Sequence, residues 1–215
     1  MKLDRKILMS LLLSLLLFLG FLILAHGVYF SAAWVLDLDY RGNAIFRLNL
    51  TREVTSMIFW FGRIGTIRNL IYTALFIGAV LLYNKEKRSF LWFGISMAIS
   101  GGLAPLVVKN AIRRGRPTDG LMLRTGYSFP SGHTMGTLAL YGLVIMLAAI
   151  YIRRSWLRYT VMISSFAIIL IISWSRIHLG VHFLTDIIGS MMLGLSLLIV
   201  SWLALSYFRG SSERS

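Results

Sequence analysis

Cysteine is absent from this chain of 215 residues. Without a thiol, the chain cannot form a disulfide framework, a zinc site built on thiolates or a catalytic cysteine. Cysteine usage therefore gives no indication of the redox compartment in which the protein works. Internal repeats and low-complexity tracts are also missing from the sequence, and we interpret residues 1–215 as a single domain.

Charged residues are scarce as well, at 14% of the chain, whereas hydrophobic residues make up 57%. A soluble globular protein contains about 25% charged and about 45–50% apolar residues. The apolar residues stand in long runs that a soluble core cannot bury, and they are too numerous for a disordered chain. The composition therefore predicts an integral membrane protein.

Acidic residues are the scarcest charged group, with 8 Asp and Glu against 22 Lys and Arg and a formal net charge of +14. About half of this excess is expected to flank membrane helices on the cytoplasmic side. The rest indicates an anionic partner: nucleic acid, an anionic lipid surface or an anionic substrate. The loops between the apolar runs are short and no arginine-rich tail is present, so a nucleic-acid partner is not expected. Membrane lipids and an anionic substrate remain as the expected partners.

Six apolar runs are candidates for membrane helices, each of which needs about 20 predominantly apolar residues. We expect an all-α, polytopic fold with spans near residues 7–25, 69–83, 90–108, 134–152, 156–174 and 187–208. The first run is long for the hydrophobic region of a signal peptide, so we interpret it as a membrane helix. Residues 27–68 are expected to form an interfacial loop with short helices, and residues 209–215 a disordered tail.

The distribution of basic residues predicts the orientation of these spans. An even number of spans puts both termini on one side, and with that side cytoplasmic the Lys and Arg residues divide equally between the two sides. On the cytoplasmic side they are short, regular flanks of the helices, whereas on the other side they crowd around two helix ends. We therefore expect cytoplasmic termini and an anion-binding site that faces outside the cytoplasm.

Three polar patches interrupt the apolar pattern, at residues 109–117, 130–133 and 175–186. They close the third span, open the fourth and connect the fifth to the sixth, so the order of the spans brings all three to one face of the membrane. Ionisable residues at membrane depth are costly and are usually functional. Their convergence predicts an active site at the membrane interface.

The residue types in these patches suit phosphoryl transfer. Lys and Arg side chains form a cationic cradle for phosphate oxygens, and the backbone N–H groups of a helix start favour an anion. His182 and Asp186 are four residues apart, so the carboxylate can fix the tautomer of the imidazole and raise its basicity. His133 is then available as a general acid, and we expect a phosphohistidine intermediate. No cluster with metal-ligand spacing is present in the sequence, so neither a metal nor another cofactor is expected.

The spacing of these residues resembles a known family. The pattern K-x6-RP, PSGH and SR-x5-H-x3-D between residues 109 and 186 is similar to the signature of the type 2 phosphatidic acid phosphatases, the PAP2 superfamily. That resemblance implies an all-helical membrane fold and metal-independent hydrolysis of a lipid phosphate outside the cytoplasm. Phosphatidic acid, phosphatidylglycerophosphate and undecaprenyl pyrophosphate are the substrates that the family's bacterial members suggest.

The resemblance also implies a role for each matched residue. His182 would attack phosphorus, Asp186 would orient it, and His133 would protonate the leaving oxygen and later activate water. The phosphate oxygens would be held by a group of five residues: Lys109, Arg116, Ser131, Gly132 and Arg176.

Four further residues near the signature have open assignments. Arg113 and Arg114 are interpreted either as snorkelling side chains at a helix end or, with Arg124, as a grip for a second phosphate or a phosphoglycerol headgroup. Arg124 is interpreted either as a contact for the lipid headgroup or as a plain loop residue. His178 is assigned either to packing or to a contact with the edge of the substrate headgroup.

Two other functions share some of these features. A phosphotransferase would use the same site and pass the phosphate from His182 to a second lipid instead of water. A transporter or anion-binding protein without turnover is disfavoured, because carriers place their sites near the midplane of repeated, broken helices. In this chain the charges gather at helix ends and no repeat is present.

Overall fold

A computed structural model describes residues 5–48, 51–122 and 125–212 of the chain, with side chains described up to residue 206. Within these residues the regular structure is entirely helical, which confirms the predicted all-α class. In chain order the helices are α1 (Arg5–Tyr29), α2 (Ala33–Phe46), α3 (Arg52–Gly62), α4 (Ile67–Tyr83), α5 (Lys87–Met97), α6 (Ala104–Ile112), α7 (Gly132–Tyr151), α8 (Ser155–His178) and α9 (Leu184–Ser212). A π-helical stretch, Ala98–Leu103, joins α5 to α6.

Five helical segments are long and apolar enough to cross a membrane. They are α1, the continuous segment Lys87–Ile112, α7, α8 and α9. The sixth predicted span corresponds to α4, which begins at Ile67 and is 17 residues long. It qualifies as a span only together with α3, from which it is bent by 42°. The described residues thus contain five spans, or six if this bent pair crosses the membrane as one.

Helix α7 occupies the centre of the bundle. The most apolar stretch of α7 is 61% buried, whereas that of α1, at the periphery, is 17% buried. It packs against α8, α9 and the π-helical stretch, while α1 packs on α9. Glycine permits the closest of these approaches, because a Cβ at Gly194 would lie 2.5 Å from a Leu138 methyl group. The small-residue positions in α9 therefore set helix spacing, as is typical of membrane bundles.

The connectivity places four helix termini at one end of the bundle. Helices α6 and α8 end there, and α7 and α9 begin there, so the three polar patches meet as the order of the spans predicted. The C-terminal half of α1 packs at this same end, where Phe21 stacks on Phe129 with ring centroids 6.0 Å apart. The start of α1 consequently lies at the opposite end from the polar patches.

Residues 27–68 include the short helices that the sequence predicted, but these helices are built into the protein. Helix α2 packs against α8 and α9, and α3 packs against α8. A Cβ at Gly42 of α2 would lie 2.5 Å from the Leu184 side chain at the start of α9. This close contact brings the buried residue Asp39 of α2 to the polar end of the bundle.

Candidate active site

The turn between α8 and α9 carries the central histidine. Gly180 adopts a φ of +63°, a conformation that glycine reaches without strain. A Cβ there would also lie 2.9 Å from the Cα of Gly120, so the loop after α6 rests directly on the turn. The Leu121 N–H donates to the Leu179 carbonyl at 2.9 Å and closes the contact. His182 follows in the same turn and is 2% exposed.

The contacts of His182 define its tautomer. Its Nδ1 lies 3.1 Å from Asp186 Oδ2, and its Nε2 lies 3.1 Å from Arg116 Nη1. A guanidinium has only N–H donors, so Nε2 accepts this hydrogen bond and carries the lone pair. The proton is therefore on Nδ1, where it is donated to the carboxylate. This tautomer directs the Nε2 lone pair away from Asp186 and toward the cationic side chains.

Burial also determines the charge of His182. Removal from water lowers the pKa of the imidazole from its usual value near 6.5 to about 4, and the positive charges of Arg116 and Lys109 act in the same direction. The hydrogen bond and the charge of Asp186 oppose this change without overcoming it. His182 is consequently neutral at neutral pH, and its Nε2 keeps a free lone pair.

The carboxylate of Asp186 is held from several sides in the first turn of α9. Oδ2 accepts the N–H of Phe183 at 3.0 Å in addition to the imidazole. The Asp186 carbonyl accepts the Ser190 hydroxyl at 2.7 Å, and the same hydroxyl accepts the Ser131 N–H at 2.9 Å. This chain of hydrogen bonds ties the start of α7 to the start of α9, which explains why two separate sequence patches meet with fixed geometry.

Lys109 and Arg116 converge on one carbonyl oxygen. Lys109 Nζ donates to the Tyr127 carbonyl at 2.7 Å, and Arg116 Nη2 donates to the same carbonyl at 3.2 Å. Arg116 also donates to the Val181 carbonyl at 2.8 Å, beside the histidine. Both cationic heads therefore reach a single acceptor next to His182, which is the arrangement that a phosphate oxygen requires.

Arg176, at the end of α8, is buried beneath α3. It is 2% exposed, and its Nε donates to the Ser175 hydroxyl at 3.0 Å. Its guanidinium passes so close to Gly62 that a Cβ at that position would lie 2.0 Å from Nη2. The absence of a side chain at Gly62 is therefore what admits the arginine, a constraint that the signature itself does not reveal.

The PSGH patch forms the start of α7. Ser131 is the N-cap and accepts the Thr134 N–H at 3.3 Å, and Gly132 is the first helical residue. A Cβ at Gly132 would lie 3.7 Å from Lys109 Cε, which places the positive end of the helix beside the lysine. His133 lies in this first turn and is half-buried.

Arg114 has a different environment from either interpretation of the sequence. Its side chain is 12% exposed, so it neither snorkels nor extends toward a second phosphate. Nη1 donates to Asp186 Oδ1 at 2.7 Å, and Nη2 donates to Asp39 Oδ2. Its guanidinium carbon lies 4.1 Å from the centre of the Phe183 ring. Arg114 and Asp39 thus lie beside the histidine–aspartate pair; the sequence analysis considered Arg114 but not its contacts with carboxylates, and it did not identify Asp39.

Of the three other open assignments, two receive their location from the structure and one does not. His178 is buried, with Nδ1 3.2 Å from the Phe46 carbonyl and Nε2 3.4 Å from the Thr55 hydroxyl, which favours packing over a headgroup contact. Arg113 is exposed at the end of α6 and donates to the Asn110 carbonyl at 3.0 Å. Arg124 lies outside the described residues.

Comparison with known proteins identifies relatives of this chain. A sequence model of the PAP2 superfamily matches residues 89–209. Phosphatidylglycerophosphatase B of Bacillus subtilis (strain 168) is 32% identical over 187 residues, which cover 84% of this chain and 89% of that protein.

A solved structure shows that the fold of this chain is also similar to that of a PAP2-type phosphatase. The crystal structure of a transmembrane PAP2-type phosphatidylglycerolphosphate phosphatase from Bacillus subtilis superimposes with a TM-score of 0.79 and 26% identity. The match covers 92% of this chain and 96% of the solved chain. The chain therefore belongs to the PAP2 superfamily and is a membrane phosphatase of lipid phosphates.

Proposed function

We propose that this protein hydrolyses the phosphate monoester of phosphatidylglycerophosphate through a phosphohistidine intermediate on His182. The observation that carries the proposal is the pair of contacts made by His182, with Nδ1 on Asp186 and Nε2 facing Arg116. The substrate follows the name of the Bacillus subtilis relative, a phosphatidylglycerophosphatase. Phosphatidic acid and undecaprenyl pyrophosphate are the competing substrates.

In the first half-reaction, the Nε2 lone pair of His182 attacks phosphorus. The N–P bond forms and the bond from phosphorus to the lipid oxygen breaks, and His133 donates a proton to the leaving oxygen. The imidazole becomes cationic, and its Nδ1–H remains hydrogen-bonded to Asp186. Because Arg116 donates to the same Nε2, a phosphate oxygen has to draw the guanidinium away as phosphorus approaches.

In the second half-reaction, His133 removes a proton from water, and the water oxygen attacks phosphorus. The N–P bond breaks, and inorganic phosphate leaves with His182 neutral again. The proton given up in the first half-reaction is thus recovered in the second. Neither half-reaction requires a metal, because cationic side chains supply the charge stabilisation.

The phosphate oxygens are bound by the donors that surround His182. Lys109 and Arg116 already converge on the Tyr127 carbonyl, so an oxygen of the substrate can replace that acceptor with little movement. Arg176 approaches from the side of α3, and the start of α7 adds the N–H of Gly132 and the helix dipole. Ser131 contributes mainly as the N-cap, since its own N–H is donated to Ser190.

We place this site outside the cytoplasm, with both termini cytoplasmic. The site lies at the opposite end of the bundle from the start of α1. Basic residues stand at the beginning of the first apolar run, as is typical of a cytoplasmic flank, and this supports the proposed orientation. A Ser14–Ser196 contact, with hydroxyls 3.0 Å apart, makes α1 and α9 neighbours and puts the C-terminus at the N-terminal end.

Detergent-purified protein with excess chelator tests the function directly. Release of inorganic phosphate from short-chain phosphatidylglycerophosphate, phosphatidic acid and undecaprenyl pyrophosphate would be measured for the wild type, His182→Ala and His26→Ala. We expect the highest kcat/KM for phosphatidylglycerophosphate, a loss of roughly a thousandfold or more in His182→Ala, and no loss in His26→Ala, which alters an exposed side chain.

Two outcomes would contradict the proposal. Retained turnover in His182→Ala would reject the nucleophile, and turnover that disappears with chelator would reject the metal-independent mechanism. Thin-layer analysis of the lipids in the same reactions separates hydrolysis from transfer, because a phosphotransferase produces a newly phosphorylated lipid in place of inorganic phosphate.

A further inference from the structure

A buried group of charges extends from the catalytic pair to helix α2. Asp186 is 0% and Asp39 is 4% exposed, and Arg114 lies between the two carboxylates. Thr185 joins the same group, since its N–H and its hydroxyl both donate to Asp39 Oδ1, at 2.9 and 2.8 Å. Charges are rarely buried without partners, and here every carboxylate oxygen has a donor.

We propose that Asp39 and Arg114 are positioning residues for phosphoryl transfer, Arg114 by fixing the Asp186 carboxylate against His182 and Asp39 by balancing the charge of Arg114. This inference rests on the proposed function and extends it from the signature motifs to α2. Neither residue contacts the reacting atoms; both act through Asp186.

The geometry separates two tasks of the Asp186 carboxylate. Oδ1 accepts from Arg114, and Oδ2 accepts from His182 and from the Phe183 N–H. A carboxylate held at both oxygens cannot rotate, so Oδ2 stays on the imidazole throughout the reaction. Preorganisation of this kind removes a reorganisation step from the barrier.

The charge count explains why a second carboxylate is present. The imidazole of His182 becomes cationic in the phosphoenzyme and is then stabilised by the negative charge of Asp186. If Arg114 were paired with Asp186 alone, its positive charge would neutralise that carboxylate and weaken this stabilisation. With Asp39 included, two carboxylates face one guanidinium and one imidazole, and these four groups sum to zero once the imidazole ring is cationic, while the negative phosphoryl oxygens face the separate cations Lys109 and Arg116. Asp39 therefore stabilises the positive charge that develops on the imidazole in the transition state more than it stabilises the neutral imidazole of the resting enzyme, which is the condition for accelerating the chemical step.

Helix α2 offers a matched control for this idea. Asp37 and Arg41 form an exposed ion pair on the same helix, with Arg41 Nε 2.9 Å from Asp37 Oδ2 and side chains 53% and 70% exposed. Asp37→Asn and Arg41→Lys therefore repeat the chemical changes of Asp39→Asn and Arg114→Lys away from the site. Both controls should leave kcat and KM within about twofold of the wild type.

The test compares steady-state kinetics on short-chain phosphatidylglycerophosphate, expressed per folded, monodisperse enzyme. Asp39→Asn keeps an acceptor for Thr185 but leaves Arg114 unbalanced, and we expect kcat to fall roughly tenfold to a hundredfold with KM within twofold. Rapid-mixing experiments quenched in alkaline detergent should show a proportionate loss in the rate of phosphoenzyme formation.

The charge balance also predicts how the pH dependence of kcat changes in Asp39→Asn. The charges facing His182 are Asp186 on α9, Arg116 after α6 and Lys109 on α6, with Arg114 behind Asp186. Removing the charge of Asp39 makes this surrounding more positive, so the acidic limb of kcat should move to lower pH. A merely structural role of Asp39 would reduce the amount of folded enzyme and leave the limb where it is.

If Asp39→Asn does not fold, Arg114→Lys provides the test, because lysine keeps the charge but lacks the planar fork whose two nitrogens bind Asp186 and Asp39 separately. The double variant Asp39→Asn/Arg114→Lys should be no worse than the poorer single variant, since both act through Asp186. Kinetics of Asp39→Asn and Arg114→Lys that match those of the α2 controls would overturn the inference. Failure of the wild type to release phosphate would instead reject the proposed function itself.

Discussion

The two ends of the helical bundle both carry basic residues but use them differently. At the end opposite the site, Arg153 and Arg154 are exposed where α7 passes into α8. A cavity of about 520 Å³ lies nearby, lined mainly by apolar side chains of α4, α7 and α8. At the site end, Arg114 and Arg116 are directed inward and bonded to carboxylates, carbonyls and the imidazole. The basic residues of the site are therefore distinguished from those at the other end by their hydrogen-bond partners within the protein, and not by their charge alone.

The largest effect that separates the two ends should come from exchanging one arginine at each. Arg116→Ala removes donors to the Gly126, Tyr127 and Val181 carbonyls and to His182 Nε2. We expect kcat/KM to fall about a hundred- to a thousandfold, the usual loss when one donor to a developing oxyanion is removed.

Arg153→Ala is the counterpart at the other end and should keep kcat/KM within about twofold, because the side chain is exposed. Phosphate release by both variants, measured in parallel on phosphatidylglycerophosphate, checks the comparison. Equal losses at the two ends would mean that the basic residues act by general attraction of anionic lipid and not by specific contacts.

Much of this site was accessible from the sequence because its signature residues act through local spacing. His182 and Asp186 are four residues apart, and a helix that begins near them brings the two side chains together. The start of a helix at Gly132 follows in the same way from the preceding Ser131, which caps it. The six apolar runs likewise marked the helices, although α4 proved too short to span without α3.

The missed residues depend on contacts between distant parts of the chain. Asp39 lies 146 residues before Thr185, and nothing in its local sequence distinguishes it from Asp37, which is exposed. Arg114 stands beside Arg113, and the left-handed conformation of Arg113 at the end of α6 is what turns the chain so that one is exposed and its neighbour is buried. One signal was available: an acidic residue is rare in this chain, so each of the 8 deserved a search for a partner.

A smaller effect at the site end is expected from Gly62→Ala. The added Cβ would lie 2.0 Å from Arg176 Nη2, so the guanidinium has to move, and with it one of the proposed phosphate ligands. We expect kcat/KM to fall about tenfold, because the arginine is displaced and not lost.

Gly94→Ala in α5 provides the control for the same chemical change, since a Cβ there meets nothing within 4 Å. It should preserve activity and stabilise the fold by about 0.5–1 kcal/mol, because alanine restricts the unfolded chain. Thermal unfolding and phosphate release measured together separate the two glycines. An active Gly62→Ala enzyme would show that Arg176 does not need its present position.

The smallest effect should come from the polar contacts at the opposite end. The Tyr151 hydroxyl lies 2.7 Å from Glu86 Oε2 and 2.7 Å from the Ser89 hydroxyl, so it ties the start of α5 to the end of α7. Tyr151→Phe removes these hydrogen bonds, and we expect a loss of about 1 kcal/mol in the free energy of unfolding with kcat and KM within twofold of the wild type. Tyr83→Phe, which alters a side chain that is 88% exposed, should change neither quantity. A drop in kcat for Tyr151→Phe would show that the two ends are coupled through α7, whose first turn carries His133 and whose last residue is Tyr151, and the separation between a functional and a structural end would no longer hold.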